Sequence, residues 1–210
     1  MTKAQEIKAL FLENYKDAKT ELIYNNLYEL LISVMLSAQC TDKRVNIITP
    51  ALFQVYPDVD TLAGAKLDDV KSYIKTCSFF NNKAVNLIKM ATSVRDNFNS
   101  NIPLDQKGLV SLAGVGQKTA NVVLIEYAEA NLMAVDTHVT RVAKRLGLSR
   151  EKTPEKIEAE LTRKFKTELA TLHQAMVLFG RYKCKAVRPI CKDCYMYDFC
   201  NEKLKTKFIM

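Results

Sequence analysis

What this chain lacks narrows its class before any motif is read. No apolar run could cross a bilayer: the longest, Leu30 to Leu36, contains Ser33 and falls far short of the ~20 residues a spanning helix needs. The first twenty residues, MTKAQEIKALFLENYKDAKT, are charged throughout and hold no apolar core of a secretory signal. These absences predict a soluble cytoplasmic protein with no membrane partner. No convincing stretch alternates apolar and polar residues, so little sheet is expected. No low-complexity linker and no obvious repeat divides the chain. Acidic residues are in deficit, 23 against 31 Lys and Arg, which leaves a net charge of +8 and a pI near 9.1. Such a balance suits a polyanionic partner, because Lys and Arg displace counterions condensed on phosphate.

What is present is helical. The 210 residues make one large domain or two small ones, and 48% hydrophobic content is ample for a core. Leu27 to Ala38 is apolar nearly all round, as a helix at the centre of a domain would be. From Asn82, residues Ala84, Leu87, Ile88, Ala91, Val94 and Phe98 recur in steps of three and four, which builds one helix face. Short breaks at Pro57–Asp58, Asn99–Pro103, Gly114–Gly116, Gly147 and Pro154 punctuate an all-α chain of about ten helices.

Four cysteines near the end, Cys184, Cys191, Cys194 and Cys200, follow C-x6-C-x2-C-x5-C. In a reducing compartment such clustered thiols read as metal ligands rather than disulfides. Zinc sites usually pair cysteines as two tight couples, and no second C-x2-C couple is present. The spacing therefore favours an iron–sulfur cluster and leaves zinc open. Arg181, Lys183, Lys185, Arg188 and Lys192 crowd into and before this segment, two of them between the first two cysteines. Cys40 and Cys77 stand apart and read as small buried apolar residues.

The most specific internal motif is LAGVGQKTANVV, Leu112 to Val123. Gly114 and Gly116 permit a tight turn with positive φ and close approach of another backbone, and Val115 would plug the core beneath. Amides opening the following helix would be free for a phosphate oxygen. Flanked by apolar helices in a basic chain, the element reads as a helix–hairpin–helix gripping a DNA backbone. Lys118 sits in the first turn of that helix. It reads either as a phosphate cation or as a nucleophilic amine, its charge disfavoured by the helix dipole and by partial burial. Asp136, in AVDTHVTRVAKRL, reads as an N-cap that could also face a cleft, and His138 as a structural or supporting residue.

Taken in order, these pieces resemble the endonuclease III family of helix–hairpin–helix DNA glycosylases. The likeness runs over nearly the whole chain, through LSAQCTD (Leu36 to Asp42), YIKT (Tyr73 to Thr76), NKA (Asn82 to Ala84), AVDTH (Ala134 to His138), GRYKC (Gly180 to Cys184) and the cysteine ending. The resemblance implies a six-helix barrel domain over residues 21–131 and a discontinuous cluster domain over 1–20 and 132–210, with a cleft between. It implies a 4Fe–4S cluster on the four cysteines. Lys118 would attack C1′ of a damaged pyrimidine nucleotide flipped out of duplex DNA, and Asp136 would be the essential carboxylate. Base release would be followed by β-elimination at the abasic site through a lysine Schiff base. Gln39 would fill the gap in the duplex, and Phe79 stands where the family commonly places a leucine wedge. Gly114, Val115 and Gly116 would hold the backbone, and Lys185 and Arg188 would be pinned against phosphate. Ala113 replaces a usual proline, Gln117 a frequent basic residue and Ser78 a common glycine. The expected partner is duplex DNA carrying a damaged pyrimidine or abasic site, engaged by a monomer at the nucleoid. The readings that compete are an alkylbase glycosylase on the same fold and a DNA-binding module without catalysis.

Overall fold

The computed structural model describes residues 1–203 and 205–208. In chain order the helices are α1 (Lys3–Asn14), α2 (Leu27–Ser37), α3 (Asp42–Val55), α4 (Val59–Ala63), α5 (Leu67–Ile74), α6 (Phe80–Phe98), α7 (Gln106–Ser111), α8 (Gln117–Ala128), α9 (Thr137–Arg145), α10 (Pro154–Phe165) and α11 (Leu169–Tyr182). A short 3₁₀ turn covers Lys205–Phe208, and no strand forms among the described residues. No helix among them is long and apolar enough to cross a membrane. The chain divides into two compact units, residues 21–128 and residues 1–20 with 129–210.

Most helices begin where a short polar side chain can accept an otherwise orphaned amide. Thr2, Asn26, Thr41, Asp58, Asp105 and Thr153 each accept from the backbone N–H three residues on, and Pro154 follows the last of these at the first helical position. Four starts lack such a side chain, α5 after Lys66, α6 after Phe79, α8 after Gly116 and α11 after Glu168, and the second and third of these lie at the site described below.

The unit of residues 21–128 is built around α2. Tyr28 and every residue from Leu30 to Leu36 are buried, and α3, α6 and α8 pack around them. Each such aliphatic side chain contributes roughly 1.5–3 kcal/mol by leaving water. Along α6 the buried stripe is Ala84, Leu87, Met90, Ala91 and Val94. Ile88 and Phe98, expected on this face, are only half-buried, and Met90 takes the place inside. The stripe is thus turned slightly from the one the sequence suggests.

In the other unit α1 and α9 pack on α11, and α10 packs on α1. Phe11 meets Phe179 edge-on at 5.4 Å, and Phe179 meets Tyr195 at 5.5 Å, so an aromatic stack runs from α1 into the cysteine segment. Helices α9 and α11 approach closely because position 180 is glycine: a Cβ there would lie 2.9 Å from the Cβ of His138. Pro154, read as a break between helices, stands at the start of α10, and the count reaches eleven α-helices among the described residues against the ten or so expected.

Candidate nucleic-acid interface and metal centre

The hairpin between α7 and α8 separates two uses of glycine. Gly114 has φ +78°, and a Cβ added there would meet the Cβ of Asn86 at 2.8 Å. Gly116 adopts no positive φ, unlike the expectation for both glycines, and a Cβ there would meet nothing within 4 Å. The first glycine makes the turn; the second leaves open space in front of a helix start. Val115 between them is 4% exposed, so its side chain belongs to the core and only its backbone faces outward. The first intrahelical bond runs from the Ala120 N–H to the Gly116 carbonyl. Gly116 offers no side chain to cap the amides of residues 117–119, which leaves them available to an anion.

Gln117 and Gln106 both donate to Oδ1 of the fully buried Asn121, at 3.2 and 2.7 Å. This amide network fixes α7 against α8, and it gives Gln117 a role other than the cationic one commonly found at its position. Lys118 is exposed. The partial burial expected of it is absent from the free protein, because its place in the first turn of α8 points away from the unit's core. What surrounds it is the positive end of a helix whose amides are uncapped.

Two turns of the same unit carry Gln39 and Phe79. Gln39 lies outside α2, in the turn before α3, exposed and with φ +56°. Phe79 precedes α6 with φ +58° and is 62% exposed, so it is no core aromatic. Left-handed backbone at a non-glycine residue stores of order 1–3 kcal/mol and persists only where the surroundings impose it. Lys83, one turn into α6, supplies part of that imposition: its Nζ donates to the carbonyls of Leu36 and Ala38, both at 2.7 Å. The end of α2 is thereby tied to the start of α6. Cys77, buried, and Cys40, only half-buried against the expectation of a buried residue, also meet here with their sulfurs 3.3 Å apart.

In the other unit, Asp136 is the N-cap of α9, its Oδ1 accepting from the Val139 N–H at 2.7 Å. The carboxylate is half-buried and makes no other hydrogen bond among the described residues. Helix α9 is anchored along its length by two arginines. Arg141 donates to the Gly180 carbonyl at 2.7 Å and to the Cys184 carbonyl at 2.9 Å, and it contacts His138 Nδ1 at 3.1 Å. Arg145 donates to the Lys185 carbonyl at 2.8 Å, to the Cys184 sulfur at 3.3 Å, and to Glu202 at 3.2 Å. His138 is thus a packing and bonding residue of the α9–α11 contact.

All four clustered cysteines carry free thiols and line one pocket, walled by Leu146, Phe179, Pro189 and Met196. Burial raises the Cys194 and Cys191 thiols above their ordinary pKa, and neighbouring cysteines push both the same way; Lys183 opposes the rise at Cys194 and Arg145 at Cys191. Amides point at sulfur as well, since the Glu202 N–H reaches Cys200 Sγ at 3.5 Å. No three His, Cys, Asp or Glu side chains among the described residues draw together as a single ion requires. Between the first two cysteines, Lys185 and Arg188 are exposed, Arg188 with φ +53°. Lys183 is not a free cation: its Nζ donates to the Lys192 carbonyl at 3.0 Å and braces the segment.

Comparison with known proteins agrees over the full length. Residues 32–167 match the family described as HhH-GPD superfamily base excision DNA repair protein. Endonuclease III of Rickettsia felis is 44% identical over 197 residues, covering 93% of this chain and 92% of that one. Endonuclease III of Haemophilus influenzae is 41% identical and covers 99% of both. The chain belongs to the endonuclease III family. Its fold is the helix–hairpin–helix glycosylase fold: it superposes with a TM-score of 0.93, at 37% identity and complete coverage of both chains, on a trapped endonuclease III–DNA covalent intermediate. Within this endonuclease III scaffold, sequence reasoning missed Asn121, Lys83, Arg141 and Arg145. Only Asn121 left a local signal, a polar residue at an inward position of α8.

Proposed function

We propose that Lys118 is the nucleophile and Asp136 the essential carboxylate of this base-excision DNA glycosylase and AP lyase, acting on oxidised pyrimidines in duplex DNA. The observation that carries the reading is an exposed amine in the first turn of an uncapped helix, on a fold shared with an endonuclease III trapped covalently on DNA. The amides of residues 117–119 hold a phosphate, and Gly116 lets the backbone come within reach. Gln39 fills the space left by the extruded nucleotide and Phe79 unstacks the neighbouring step, each presented by a turn held in left-handed backbone. Lys118 attacks C1′, the base departs, and the resulting Schiff base serves as electron sink for β-elimination 3′ to the lesion. The free oxygen of Asp136 stabilises positive charge developing on the sugar. The barrel role falls to residues 21–131 and the cluster role to 1–20 and 132–210. The protein works as a monomer in the cytoplasm, at the nucleoid.

Cys184, Cys191, Cys194 and Cys200 hold a 4Fe–4S cluster. The donor set fits: four thiols line one apolar pocket, with an arginine and an amide aimed at sulfur. When bound, the cluster fixes the segment that displays Lys185 and Arg188 to the phosphates. Iron analysis of anaerobically purified protein is expected to give about four irons per chain with visible absorbance. Stoichiometric zinc without iron would overturn the assignment.

The glycines separate turn from interface. Gly114→Ala forces a Cβ against Asn86 at positive φ and is expected to lower stability by ~2 kcal/mol or more, seen in the thermal midpoint. Gly116→Ala should cost less than ~1 kcal/mol in stability, and its main effect should be weaker duplex binding.

The proposal as a whole is tested by borohydride trapping on duplexes carrying thymine glycol, with undamaged duplex as control. A covalent adduct that depends on the lesion, mapped to Lys118, is the expected result. Intact lesions and no adduct would overturn it.

A further inference from the structure

The two turns assigned to duplex probing are joined by something that the glycosylase reaction does not use. Cys40 follows Gln39 directly, and Cys77 lies two residues before Phe79. Their sulfurs are 3.3 Å apart, one thiol donating to the other. Each turn is locally fixed by a backbone bond, Cys40 N–H to the Ser37 carbonyl at 3.0 Å and Cys77 N–H to the Ile74 carbonyl at 2.8 Å. Lys83 holds the same junction through Leu36 and Ala38. The two sulfurs are therefore held side by side by fixed backbone on both turns. Cys40 is half-buried and within reach of a small oxidant, whereas Cys77 is 3% exposed.

We propose that Cys40 and Cys77 form a redox modification site, at which a peroxide converts the thiol pair to a disulfide that locks the Gln39 and Phe79 turns and suspends lesion processing until a thiol reductant restores it. The functional half rests on the reading of Gln39 and Phe79 given above.

The chemistry is balanced by one peroxide. The Cys40 sulfur, as thiolate, attacks a peroxide oxygen; the O–O bond breaks, leaving a sulfenic acid on Cys40 and a hydroxide that takes up a proton as water. The Cys77 sulfur then attacks the Cys40 sulfur and the S–O bond breaks. The Cys77 proton leaves with that oxygen as a second water. Two thiols lose two electrons in total, and one peroxide becomes two waters. The order of attack follows from the surroundings. Cys40 is the sulfur an oxidant can reach, while burial and the adjacent Cys40 push the Cys77 thiol up against the opposing charges of Lys83 and Arg44, so Cys77 is the resolving partner. Bond formation brings the sulfurs from 3.3 Å to about 2.05 Å, a closure of about 1.2 Å. Side-chain rotation absorbs part of it and the turns absorb the rest. Displacements near 1 Å in a positioning element can cost of order 10²-fold in rate.

The holoenzyme is treated anaerobically with limiting hydrogen peroxide, its remaining thiols are alkylated, and an unreduced digest is analysed by mass spectrometry while cluster absorbance is followed. The expected product is a peptide pair joined through Cys40 and Cys77, lost on dithiothreitol treatment and absent from Cys40→Ala. The oxidised wild type, its cluster absorbance unchanged, should process a thymine glycol duplex at least about tenfold more slowly and recover on reduction. Cys40→Ala should keep its rate through the same treatment. No joined peptide, or a joined peptide with an unchanged rate, would overturn the proposal. Unoxidised Gln39→Ala and Phe79→Ala provide a separate reading: wild-type rates in both would overturn the probing roles themselves, independently of the disulfide map.

Discussion

Lys118→Ala is expected to remove strand cleavage and borohydride trapping altogether, with duplex binding largely retained. Two roles compete for this side chain, and they separate cleanly. As a phosphate cation, Lys118 would contribute one counterion's worth of affinity and lower the salt slope by about one unit when lost. As the nucleophile, its loss would reduce turnover by ~10³-fold or more, since nothing else could form the covalent bond. Lys118→Arg sharpens the contrast. Arginine keeps the charge at the same helix start but stays protonated and cannot form a Schiff base. A cation role predicts near-normal function for the arginine variant; the nucleophile role predicts none. The exposure of Lys118 in the free protein adds a condition. If Lys118 is the nucleophile, desolvation of its side chain has to come from the DNA bound over it. Single-turnover assays on lesion duplex, with binding followed separately by anisotropy, measure both quantities on one set of variants.

The parts of this fold that were legible beforehand are those whose causes are local. Helix α2 announces itself because Tyr28 and the six apolar residues flanking Ser33 from Leu30 to Leu36 have nowhere to go but inward, and Asp136 because a carboxylate before an apolar helical pattern caps it. The hairpin was legible for the same reason, although only Gly114 needs its positive φ. What escaped depends on residues brought together from far apart. Lys83 and Leu36 are 47 positions apart, Cys40 and Cys77 are 37, and Arg145 and Cys184 are 39. No periodicity or spacing records such pairings. The left-handed turns at Gln39 and Phe79 were hidden in another way. Glutamine and phenylalanine carry no preference for that backbone, so it is imposed by the junction of α2 and α6 and not encoded at the residue itself. The same junction explains why Cys40 is not the buried filler it resembled: its turn projects from α2 instead of continuing it.

Asp136→Asn should fold as the wild type does and yet lose base release by about 10²–10³-fold. The argument turns on what each atom of the side chain does. Oδ1 accepts from the Val139 N–H, and an asparagine carbonyl can accept the same bond, since Asn and Asp cap helices about equally well. The amide therefore preserves α9, and with it the bonds of Arg141 and Arg145 that hold the Cys184 segment. The second oxygen, which no partner among the described residues occupies, loses its charge. If that charge stabilises the sugar as the base departs, glycosylase activity falls while unfolding temperature and cluster content do not. Asp136→Ala supplies the complementary case, losing the cap as well, at ~1 kcal/mol of stability. The two steps of the reaction can then be parted with a preformed abasic site, which has no base left to release. On that substrate Asp136→Asn should recover much of the lyase rate, because Lys118 is intact. Equal losses on thymine glycol and on the abasic site would place Asp136 in the elimination step instead. Full activity on both would reduce it to the cap of α9.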